Sequence, residues 1–205
     1  MRRLILCLIL LMVVSTIPMA MADDDHNRSH RVRTHLSGFN EVHFVAGNPA
    51  ATPIVPPAIR GAVSTKASGK FVAEIDEKGQ KIHYKLSYKD LEGEVTQGHI
   101  HFGQRHTVGG IVVWLCQTTR NPAPAAVAGL TPTCPGPHEG TVEGSIAPEQ
   151  VLAQAAQGFA GDFDELVRAI RAGATYANVH SFIENPPPDF GAGEVRGQIP
   201  GSHDD

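Results

Sequence analysis

Polar and apolar residues alternate with a period of two along most of this chain, the pattern of strands with one buried face. Residues 69–75 put Phe71, Ala73 and Ile75 on one side, and residues 81–88 do the same with Ile82, Tyr84, Leu86 and Tyr88. Asp76-Glu77-Lys78-Gly79 between them has the composition of a turn, so the two runs predict a hairpin. Further strands are expected at 31–39, 60–65, 95–102, 141–146, 175–182 and 193–199. Residues 110–116 are different, because Ile111, Val112, Val113, Trp114 and Leu115 form an unbroken apolar run that predicts a central strand covered on both sides. The Pro-rich stretches 45–58 and 117–140 read as long surface loops, and Pro186-Pro187-Pro188 as a turn.

A helical pattern interrupts the strands late in the chain. Pro148 opens one helix over 149–157. In a second, Asp162 and Glu165 resemble a capping box, Phe163, Leu166, Val167 and Ile170 make the apolar stripe, and Gly173 is placed to end it. About eight short strands with one helical insertion predict a mainly β fold, a single antiparallel β-sandwich. An α/β fold is disfavoured because strands and helices do not alternate.

The 205 residues allow one domain or two small ones. Arg2 and Arg3, an apolar run from Leu4 to Ile17, and Ala20-Met21-Ala22 form a secretory signal peptide over 1–22, cleaved after Ala22. An uncleaved membrane anchor is the competing reading, although the run is short against the ~20 residues a span needs. Residues 23–30 follow as a loose N-terminus containing the sequon Asn27-Arg28-Ser29, then one domain over 31–200 and a tail over 201–205. The expected location is secreted or periplasmic. Cleavage removes two of the 17 basic residues and none of the 21 acidic ones, leaving a net charge near −6. That balance argues against nucleic acid and anionic membranes as partners. Cys116 and Cys134 are expected to form a disulfide in an oxidising compartment, with two free thiols or thiolate ligands as the alternative.

The candidate chemistry sits on two strands. In Gly98-His99-Ile100-His101-Phe102, His99 and His101 share a face opposite Ile100 and Phe102. In Tyr176-Ala177-Asn178-Val179-His180, Asn178 and His180 share a face opposite Ala177 and Val179. If the strands are neighbours, three imidazoles converge on one spot of a solvated outer surface, accessible to an ion. Three nitrogens without a thiolate or carboxylate suit copper first and zinc second, with haem iron as a further option. His106 is a candidate fourth ligand and His138 a weaker one, while His26, His30 and His35 form a candidate adventitious Cu(II) or Ni(II) site near the N-terminus. Arg196 reads as the partner of Glu194 in an ion pair, or as an anion guide. Trp114 reads as packing. The competing reading of the histidines is structural, in a non-enzymatic extracellular interaction module that recognises a protein partner or a second copy of itself. Hydrolase and nucleotide-dependent motifs are not found in the sequence.

The order of several short motifs resembles the CHRD (chordin) domain family. They are Leu36-Ser37-Gly38-Phe39-Asn40-Glu41-Val42, Gly69-Lys70-Phe71, Tyr84-Lys85-Leu86, Leu91-Glu92-Gly93 and the two histidine strands, with Gly193-Glu194-Val195-Arg196-Gly197-Gln198-Ile199 at the end. The resemblance implies an extracellular immunoglobulin-like sandwich and no established activity. The chain is also distantly similar to the copper/zinc superoxide dismutase sandwich. That similarity implies copper ligands at His99, His101 and His180, an anion-guiding role for Arg196, and dismutase-like redox activity. The zinc-site histidines of that superfamily have no match here.

Overall fold

The structure is a computed structural model and describes residues 30–45, 58–184 and 190–201. The signal peptide, the sequon, His26, most of the 45–58 loop, the triple proline and residues 202–205 lie outside the described residues. Ten strands are described: β1 (His30–Ser37), β2 (His43–Val45), β3 (Ala58–Gly61), β4 (Ser68–Asp76), β5 (Lys81–Lys89), β6 (Glu94–Phe102), β7 (Gly110–Gln117), β8 (Gly140–Ile146), β9 (Thr175–Phe182) and β10 (Val195–Ile199). The helices are α1 (Ala125–Ala128) and α2 (Phe163–Arg171).

The mainly β, antiparallel character is as expected, but apart from the short β2–β3 pair the strands are not divided into two sheets. Eight of them form one continuous sheet in the order β7-β6-β9-β10-β1-β4-β5-β8, nearly closed into a barrel. Near the gap, the Tyr84 hydroxyl on β5 donates to the Leu115 carbonyl on β7 at 2.6 Å. The β4–β5 hairpin follows the period-two pattern, with Phe71 opposite Leu86, Ala73 opposite Tyr84 and Ile75 opposite Ile82. These side chains line the barrel interior together with Ile100, Ala177, Val179, Val195 and Ile199.

Three local expectations change. Residues 149–157 do not form one helix: two 3-10 turns, Pro148–Gln150 and Ala155–Gln157, flank an extended piece. That piece gives its backbone to the sheet edge, with the Leu152 N–H donating to the Val112 carbonyl at 2.8 Å, so it cannot close helical turns. β7 is buried on both faces as its composition requires, yet it is the terminal strand of the ladder and not a central one. Its outer cover comes from 117–139, whose Ala123 and Val127 pack on Trp114. The strand expected at 60–65 is limited to β3, which pairs with the short β2.

α2 follows its sequence signals. The Asp162 carboxylate accepts from the Glu165 N–H at 2.6 Å, Phe163, Leu166, Val167 and Ile170 are buried, and Gly173 takes the left-handed φ of 65° that ends the helix. The Glu165 carboxylate accepts from Ala160 N–H, so the box closes two residues further out than a standard one. The Cys116–Cys134 disulfide is present and ties the covering segment to β7. No helix among the described residues is long and apolar enough to cross a membrane.

Candidate metal centre

β6 lies between β7 and β9, and its antiparallel pairing with β9 sets His99 opposite Asn178 and Gln97 opposite His180. His180 is therefore a diagonal neighbour of His99 on the same face, within reach of an aromatic ring. The ring centroids lie 5.4 Å apart for His99–His101, 5.0 Å for His99–His180 and 6.2 Å for His101–His180. One nitrogen from each ring falls within 4.8 Å of the others. Nitrogens bound to one ion at about 2.0–2.1 Å stand roughly 3.3–4.2 Å apart, so small ring rotations close the set.

Backbone carbonyls orient two of the rings. His101 Nδ1 is 2.9 Å from the Gly109 carbonyl, and His180 Nδ1 is 2.9 Å from the Gly191 carbonyl. A carbonyl only accepts, so both Nδ1 atoms carry the proton and both Nε2 atoms present lone pairs. Among the described residues neither Nε2 has a hydrogen-bond partner, nor does either nitrogen of His99, although all are buried. A metal-bound histidine characteristically has this arrangement, with its second nitrogen held by a carbonyl or carboxylate.

The three histidines converge as the sequence predicted, but not on a solvated surface. His99 is 0 %, His101 8 % and His180 6 % exposed. Trp114 on β7 and the connections between strands cover this face: Trp114 packs against His99 at 4.2 Å between centroids, Glu41 and Val42 line a cavity beside His101, and Gly109 and Gly191 supply the carbonyls. Burial penalises the imidazolium forms, and each ring's positive form also repels its neighbours. His99 is thereby held well below its usual pKa, His101 lowered to about 3, and His180, chiefly by burial, to about 4.

A second layer surrounds His101. Its ring stacks on Tyr176 at 4.6 Å and 4° between planes. The Arg196 guanidinium lies 3.4 Å from the same tyrosine's ring centroid. Arg196 is buried and does not pair with Glu194, contrary to expectation. Its NH1 donates to the Thr107 carbonyl at 2.7 Å and its NH2 to the Gln104 carbonyl at 3.0 Å. The Glu194 carboxylate instead accepts from Thr65 Oγ1 and from the Glu92 N–H, both at 2.8 Å, and from Ser181. The acid in electrostatic reach of Arg196 is Glu41, a buried carboxyl whose pKa burial raises against the lowering by the Val42 N–H, Arg196 and Asn178.

His106 is exposed in the turn after β6 with φ of 66°, outside the three-histidine group. His138 Nδ1 sits on the Leu91 and Gly93 carbonyls, a structural role. His30 and His35 lie along β1, outside the group as well. Sequence reasoning missed Glu41 and the orienting carbonyls. Glu41 stood in a quoted motif, but backbone carbonyls leave no trace in a sequence.

The fold and the site define a β-barrel domain with a buried three-imidazole cluster under a cover of loops. The CHRD domain profile matches residues 32–199, and the chain belongs to that family. No curated protein and no solved structure matches it.

Proposed function

We propose that this chain is an exported CHRD-domain protein that binds one transition-metal ion, copper in preference to zinc, through His99, His101 and His180. The observation that carries the reading is the set of buried ring nitrogens without partners, two of them fixed as lone-pair donors by carbonyls behind them. Buried polar atoms are normally hydrogen-bonded, and leaving one unpaired costs about 1–3 kcal/mol. One ion at the centre would engage a nitrogen of each ring at once. A ligand set of three imidazoles and no thiolate fits copper or zinc. Copper there would supply one-electron exchange, and the protein's part is to exclude bulk water and hold the three rings.

The disulfide and the N-terminal signal agree with an oxidising compartment, secreted or periplasmic. Cu(II) titration followed by electron paramagnetic resonance tests the reading. The expected spectrum shows superhyperfine coupling to several imidazole nitrogens, with fewer of them coupled when His180 is replaced by alanine. A spectrum without nitrogen coupling, or one unaffected by His180→Ala, contradicts it.

A further inference from the structure

A cavity of about 240 Å³ opens beside the histidine cluster. The His101 and Tyr176 rings form one side, and Val42, Val108 and Ala192 supply apolar walls. Val108 is 58 % exposed and marks the mouth. The polar end consists of Glu41 and Asn178. Asn178 is 1 % exposed, and its Nδ2 donates to the Glu41 carboxylate, while its Oδ1 has no partner. A mostly apolar recess with a few convergent polar groups is the usual form of a small-molecule site.

The polar end selects by hydrogen-bond sense. The acceptor it offers is the Glu41 carboxyl, since Asn178 Oδ1 is itself buried. Arg196, in electrostatic reach of Glu41, donates from NH1 and NH2 to the Thr107 and Gln104 carbonyls and lays its face on Tyr176. A carboxylate placed at this end would lie against the Glu41 carboxyl.

We infer that this chamber binds a small uncharged molecule with a hydroxyl or amine donor on an apolar body, of about the size of phenol. The donor meets the Glu41 carboxyl, and the body lies against Val42, Val108 and Ala192. The inference deepens the metal reading by naming what lies next to the centre, and it rests on that reading for the molecule's role as substrate but not for its binding.

Phenol and benzoate share a ring and differ in charge, so they separate the cases. Each is titrated into the metal-free full chain while backbone amide shifts are followed by NMR. Phenol is expected to shift the Val42, Val108 and Ala192 amides saturably, and benzoate to bind at least ~10-fold more weakly, because its carboxylate would lie against the Glu41 carboxyl. Ala192→Phe fills the chamber, and Val108→Trp, at a half-exposed position that spares the core, obstructs its mouth. Each should weaken phenol by a similar factor. No phenol shifts, benzoate binding as tight as phenol, or undiminished phenol binding in both folded variants would overturn the inference. Copper uptake is measured on the same samples: phenol binding in a protein that takes up no copper upholds the chamber and contradicts only the metal reading.

Discussion

His99 holds two ring nitrogens in the interior with nothing to bond, an arrangement that folding alone does not favour. If its role is to hold metal, an apolar ring of similar shape should suit the metal-free fold at least as well. His99→Phe is expected to leave metal-free stability unchanged or raise it by up to ~2 kcal/mol, since the unpaired atoms disappear. Urea unfolding measures this, and copper affinity should collapse in the same variant. A large loss of stability would mark His99 as structural. Protonation acts on the same rings. Their folded pKa values lie below the ordinary 6.5, at about 3 for His101 and about 4 for His180. Below pH 6.5 the unfolded chain takes up protons that the folded chain refuses, so stability falls with falling pH until the folded values are reached. The metal-free unfolding midpoint should hold steady from pH 8 to 7 and drop progressively from pH 6.5 to 4. A midpoint flat across that range would contradict buried neutral imidazoles.

Among the elements, the strands were readable and their cover was not. The alternation at Phe71, Ala73 and Ile75 could only mean one buried face, and His-x-His at 99 and 101 had to share a side. Which side became buried depended on segments without periodicity. Proline and glycine in 117–139 suggested a loop on the surface, yet Trp114, Ala123 and Val127 bury one another and the Gln117 side chain bonds three backbone groups of that segment. The single-residue signals for α2 held because a cap and a stripe are local, whereas 149–157 was lost to a long-range pairing with β7. The disulfide fastens this cover beside the histidine cluster. Cys116→Ser with Cys134→Ser should lower stability by about 3 kcal/mol, the value for a closed loop of similar length. Trp114 fluorescence should shift to the red as the cover loosens over His99. An unshifted spectrum would mean that the cover is held without the bridge.

At the scale of the whole molecule, near-closure of one sheet accounts for the position of the site. β6, β9 and β10 are adjacent in the ladder although β6 and β9 are far apart in sequence, and their outward residues form the cluster and its second layer. The barrel interior is filled by the apolar set, so the histidines can only project outward, into the space between sheet and cover. The choice between one rolled sheet and two stacked sheets was not legible, because both give the same alternation along each strand. The shared faces of the three histidines were legible because a strand's period fixes faces without knowledge of its partners. Copper stoichiometry in the protein, made without a histidine tag and dialysed after loading, tests the central claim most directly when compared with a His99→Ala/His101→Ala variant. The account predicts one tightly held copper per chain and none in the double variant. Equal copper in both would contradict it.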